Sequence, residues 1–223
     1  MRKSLKDKRI VKRDIGLSYS EQIQAHCKIN EAEAKSLLNK YILKKTIHKT
    51  TKIQGDALEK VVDYFLRKSG LFTNVRADFK SSVHQIDHHA MFQPHVARIY
   101  FQLFEDGTAK VLGESKNYSK HKKPLGVDIV YKVEGIKSRV GYTLAMYFTR
   151  GGMTGDEFRA ATKLIHDFCN SSKTLSVVFS DDDWEFLKKR PKLFQKLLFA
   201  KIEHFNVTNN FKVNYAIVPS WGN

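Results

Sequence analysis

The chain has 223 residues, 42% of them hydrophobic, enough for one domain of ordinary size with its own core, with or without a small appendage. No apolar run approaches a membrane-spanning length, and the opening MRKSLKDKRIVKRDIG is too charged to hold the apolar centre of a signal peptide. With 39 Lys and Arg against 23 Asp and Glu the net charge is +16, which favours a polyanionic partner, nucleic acid ahead of an anionic membrane surface, and leaves mechanism open.

Residues 1–52 hold 14 of the basic residues against 5 acids, so over half of the excess charge lies there. Residues 1–17 read as a basic arm that would order on an anionic partner. SYSEQIQAHC (18–27) and NEAEAKSLLNKYILKKT (30–46) read as helices, the second with Asn30 and Glu33 at capping-box spacing. Separated by KIN, they form either a packing appendage or a small helix–turn–helix. Next, QGDALEKVVDYFLRKSG (54–70) repeats Leu58, Val61, Val62, Phe65 and Leu66 at helical spacing and ends on Gly70. FTNVRADFK (72–80) and SVHQIDHHAMF (82–92) read as strands. HVARIYFQLFEDG (95–107) alternates into a turn, predicting a hairpin with TAKVLGESKNY (108–118).

GVDIVYKVEGIKSRVG (126–141) predicts a helix, and YTLAMYFT (142–149) a strand buried on both faces. TGDEFRAATKLIHDFC (154–169) has Thr154 before Glu157 and a helical stripe, LSVVFS (175–180) is a second buried strand, and DDDWEFLKKR (181–190) opens a helix with acids where its dipole favours them. PKLFQKLLFAKIEHF (191–205) is a last helix or irregular segment, and KVNYAIV (212–218) a last strand. A hairpin-rich start and an alternating end predict an α+β fold with a central mixed sheet flanked by helices, in three parts: a basic N-terminal appendage (1–51), a main domain (52–190) and a C-terminal extension packed on it (191–223). Cys27 and Cys169 lack metal or redox spacing and read as free thiols of a reducing, cytoplasmic setting.

The chemistry gathers around Glu114 and Lys116, which share a strand face because strand side chains alternate with a period of two. Alone they would be a surface ion pair. Asp87 lies on an earlier strand, and Glu59 lies beside the apolar stripe of the 54–70 helix, where Asp63 is the competing acid. Cutting a phosphodiester requires a hard cation on the scissile phosphate and an activated water. Magnesium is held by one or two carboxylates, here Asp87 and Glu114, and a lysine beside it orients the water and offsets charge on phosphorus. His84, His88, His89 and His95 crowd around Asp87, but no Cys is near and adjacent His88 and His89 face opposite ways, so zinc is disfavoured. SKHKKP, with Lys120, His121, Lys122 and Lys123, reads as a loop contacting phosphates, and Arg150 in the glycine-flanked TRGGMTG (149–155) joins it as a nucleic-acid contact.

Asp87 followed by Glu114-Ser115-Lys116 resembles the D…ExK signature of the PD-(D/E)xK, or restriction-endonuclease-like, nuclease superfamily. QGDALEKVVDYFLRKSGLFTNV is similar to the opening helix of its Mrr-like branch, and ESKNYSKHKKPLGVDIV to its passage from catalytic strand to helix. YTLAMYFTRGGMTGDEFRAATK and LSVVFSDDDWEFLKK resemble its following strand–helix units. Gln85-Ile86 stands where that branch commonly has a glycine, and the 27 residues from Asp87 to Glu114 exceed the leanest members. The resemblance implies a restriction-endonuclease-like fold and a magnesium-dependent DNA endonuclease, with manganese as substitute, leaving a 5′-phosphate and a 3′-hydroxyl. It further implies Asp87 and Glu114 as metal ligands, Glu59 as an auxiliary acid that joins them at the metal, and Lys116 as the water-activating residue. Prokaryotic restriction, phage defence or repair would be its context, as a homodimer or as a partner in a defence complex. A junction-resolving nuclease and a non-catalytic DNA-binding subunit are the alternatives.

Overall fold

The Leu58–Val61–Val62–Phe65–Leu66 stripe lies in a helix with all five side chains buried, and the rest of the domain is built against it. The computed structural model describes residues 25–47, 51–80, 85–99, 109–117, 124–153, 161–172, 174–208, 212–216 and 218. In chain order these give α1 (Glu31–Ile47), α2 (Thr51–Lys68), β1 (Phe72–Lys80), β2 (Gln85–Phe92), α3 (Pro94–Ile99) and β3 (Lys110–Lys116). Then follow α4 (Val127–Val140), β4 (Leu144–Thr149), α5 (Ala161–Ser172), β5 (Leu175–Phe179), α6 (Asp181–Lys189), a 3-10 turn (Pro191–Leu193) and α7 (Phe194–Thr208).

The five strands form one mixed sheet in the order β1-β2-β3-β4-β5. The first three are antiparallel neighbours, whereas β3–β4 and β4–β5 are parallel, with α4 and α5 as the intervening segments parallel pairing requires. The fold is therefore α+β, a five-stranded mixed sheet flanked by helices. Ala90, Val111, Met146, Phe148, Val177 and Phe179 face one way and merge with side chains of α1, α2, α6 and α7 in one apolar cluster. Leu112, Ala145, Tyr147 and Val178 face the other way, onto Val130, Val133 and Ile136 of α4 and Ile165 of α5. β4 is buried at all six positions because helices cover both of its faces.

Local signals explain most boundaries. The Asn30 side chain accepts the Glu33 backbone N–H (3.1 Å), so α1 starts where its cap predicts. Gly141 adopts φ 73°, and its N–H bonds the Lys137 carbonyl, closing α4. The Asp183 carboxylate accepts the Ser180 backbone N–H at 2.7 Å at the start of α6. Two expectations are corrected. The strand read from residue 95 is, over Pro94–Ile99, helix α3: proline presets a helical φ at a first turn, and buried Val96 fits either period in so short a run. KVNYAIV is not a strand in its described residues, which turn at Tyr215–Ala216 while the Tyr215 hydroxyl donates to Asp183 (2.9 Å). The segment after Pro191, read as helix or irregular, is helical through α7. The expected basic arm (1–17), most of the expected 18–27 helix, residues 100–108 of the expected hairpin and residues 154–160 lie outside the described residues. Ala34, Leu38 and Tyr41 of the appendage join the apolar cluster of the sheet.

Candidate active site

The paired ladder between β2 and β3 ends at His88 opposite Gly113. A Cβ at position 113 would lie 2.8 Å from the His88 Cβ, so only glycine lets the two strands approach this closely. His88 itself is buried and neutral. Burial lowers its pKa to about 4, and its Nε2 shares a hydrogen bond with the Ser115 hydroxyl (3.0 Å). One position further along each strand stand Asp87 and Glu114, and there the Asp87 carboxylate replaces the backbone ladder by accepting the Ser115 N–H at 2.8 Å.

Lys116 follows two residues on, as the alternation requires. Its ammonium lies 2.7 Å from Glu114 Oε1 and 3.7 Å from Asp87 Oδ2, so one cation joins both acids. Glu114 is only 1% exposed, and a buried carboxylate survives as an anion only when it is paired. A second ammonium completes that pairing: Lys132 of α4 reaches the same Oε1 at 2.9 Å. Glu59 enters from α2. Burial raises its pKa first, the charges of Asp87, Asp78 and Asp56 act the same way, and Lys116 opposes them, so Glu59 shares the field of the other site residues. Asp63, the competing acid, is instead paired with Arg67 (2.8 Å) on the helix surface.

Asp87, Glu114, Lys116 and the field of Glu59 thus meet at one end of the sheet. Lys120, His121, Lys122 and Lys123 lie outside the described residues. Arg150, one residue past Thr149, the partner of Lys116 in the β3–β4 ladder, lies at the same end of the sheet with its side chain buried. It is 7% exposed and paired with Asp181 (3.4 Å), which also accepts a hydrogen bond from Tyr41 (3.0 Å). These contacts tie the end of β4 to α6. Lys132 is the residue sequence reasoning missed. No spacing relates positions 114 and 132, and only the packing of α4 across β3 brings them together.

Among the described residues no three His, Cys, Asp or Glu side chains stand close enough to hold a metal on their own. Of the histidines near Asp87, His89 is engaged with Tyr142 (2.9 Å), and His84 lies outside the described residues. Magnesium asks less, one or two carboxylates with water and phosphate oxygens for the rest. Asp87 and Glu114 fit that demand, since their contacts given above fall on one oxygen of each, Oδ2 and Oε1. Comparison with protein-family models, curated proteins and solved structures yields no match to this chain. Among the described residues no helix is long and apolar enough to cross a membrane.

Proposed function

We propose that the chain is a metal-dependent DNA endonuclease of the PD-(D/E)xK type. The observation that carries the reading is the convergence of Asp87 and Glu114, from two strands, on the Lys116 ammonium at the sheet end. The described order of α2, β1, β2, α3, β3, α4 and β4, with β1–β3 antiparallel and β4 parallel to β3, supports the reading. Asp87 and Glu114 would hold Mg2+, or Mn2+ in its place, with Glu59 as auxiliary acid. The bound ion supplies polarisation of the scissile phosphate and a water of lowered pKa. Lys116 orients that water and offsets the negative charge that grows on phosphorus as the P–O3′ bond breaks. The new P–O bond leaves a 5′-phosphate, and the departing O3′ takes up a proton to become a hydroxyl. The net charge of +16 suits a nucleic-acid substrate and supplies affinity without sequence.

The test is a cleavage assay on plasmid, single-stranded and four-way-junction DNA, and on RNA, with Mg2+, Mn2+ or EDTA, beside Lys116→Ala. Expected are metal-dependent cutting of DNA by the native chain, a loss of 10²–10⁴-fold in the variant, about the contribution of a positioned acid–base group, and nearly unchanged DNA binding. Full activity in Lys116→Ala would sink the assignment. Cutting confined to junctions would identify a structure-specific nuclease, and no cutting with any metal would favour a DNA-binding subunit.

A further inference from the structure

Glu114 holds two ammoniums on a single oxygen, so that with Asp87 two carboxylates face two lysines, a balance that an added divalent ion upsets. The two lysines are not equivalent. Lys116 is shared with Asp87 and its side chain is 25% exposed, whereas Lys132 is bound here through Glu114 and is 42% exposed. An ammonium about 3 Å from a carboxylate oxygen is a near neighbour of any divalent ion on that carboxylate, and the two repel. One lysine must yield when the ion arrives. The wetter one, on a flexible four-carbon stem and with fewer acids holding it, yields more easily.

We infer that Lys132 is a displaceable counter-ion of the metal site: it neutralises Glu114 in the metal-free protein, and the arriving divalent ion frees it for a phosphate oxygen of the substrate. This rests on the metal-site reading above. The exchange needs no movement of the backbone. Two residues beyond Lys132, Glu134 is fixed in the interior by hydrogen bonds from Tyr147 (2.8 Å) and Ser176 (2.9 Å), and Lys137 is held by Ser176 (3.1 Å). With α4 pinned to β4 and β5, only the Lys132 side chain has to swing. The same ammonium thereby serves two anions in turn, the carboxylate before metal binding and a phosphate after it. Its removal should act oppositely on the two ligands.

The experiment is calorimetric titration of the full chain with Mn2+ in the absence of DNA, for the native protein, Lys132→Gln, Lys132→Met, Lys132→Arg and Glu114→Gln. Expected are Mn2+ affinities raised roughly 3- to 10-fold in Lys132→Gln and Lys132→Met, near-native affinity in Lys132→Arg, and binding lost in Glu114→Gln. Duplex DNA affinity, measured on a Lys116→Ala background to prevent cutting, should fall several-fold on adding Lys132→Gln with Mn2+ present and hold steady in EDTA. Unchanged or weaker Mn2+ binding in both charge-removing variants overturns the counter-ion role and leaves the endonuclease reading standing. Equal Mn2+ binding by native protein and Glu114→Gln, or none by either, overturns both.

Discussion

Helix α4 contributes to two acid–lysine clusters on the same face of the sheet, and they are built to opposite ends. In the first, the Glu134 carboxylate accepts Tyr147 and Ser176 on one oxygen while the Lys137 ammonium caps the other, and Lys137 also donates to Ser176. Glu134, Lys137, Tyr147 and Ser176 are each at most 1% exposed. In the second, Glu114 is equally buried, yet both of its lysines are reached from solvent. Burial of the acid therefore does not separate a sealed pair from the candidate site. The separation lies in the cations. A sealed lysine with several fixed acceptors has nowhere to go, whereas a wet one on a long stem can change partners.

The largest contrast comes from crossing the two acids. Glu114→Gln should abolish metal-dependent cleavage while leaving chemical-denaturation stability within about 1 kcal/mol, because the lysines it releases can turn to water. Glu134→Ala should cost about 3–5 kcal/mol in the same denaturation experiment, because it strands the Lys137 ammonium in the interior. Replacing Glu134 and Lys137 together by leucine or methionine should recover much of that loss. Stability losses of equal size in Glu114→Gln and Glu134→Ala would erase the distinction.

A pH titration probes the closed face beneath the open site. His88 there lies in the field of Asp63 and Arg67 of α2, Asp78 of β1 and Glu114 of β3, and burial outweighs them in lowering its pKa from 6.5 to about 4. As the pH drops below 6.5 the unfolded chain takes up a proton that the folded protein refuses. Stability from this residue is thus whole above 6.5, declines between 6.5 and about 4, and then levels off. The full loss is about 3 kcal/mol, and measured in EDTA it should vanish from the pH profile of His88→Gln. The smallest effect expected is that of Gly113→Ala. Its Cβ would press on His88 and part β2 from β3, costing about 1–3 kcal/mol and lowering cleavage by displacing Asp87 from Ser115. Native stability and activity in that variant would show that the open cluster does not depend on the close strand contact.

Much of this was legible before folding. The stripe of α2, the unbroken apolar run of β4, the Asn30 cap and the same-face placement of Glu114 and Lys116 all follow from spacings of a few residues. Such features obey backbone geometry, which is local, so the sequence determined them by itself. Pro94–Ile99 was misjudged because six residues satisfy either period, and the final segment because an apolar run does not reveal whether a sheet edge awaits it. The tertiary structure alone decided the electrostatic partners: Arg150 with Asp181, Lys137 with Glu134 inside and not on a surface, and Lys132 with Glu114 across eighteen residues. A charged side chain carries no periodic signature of a partner on another element, nor of whether a neighbour on its own helix will be buried with it. Which acid it meets, and whether water can reach the pair, is fixed only when helices settle on the sheet.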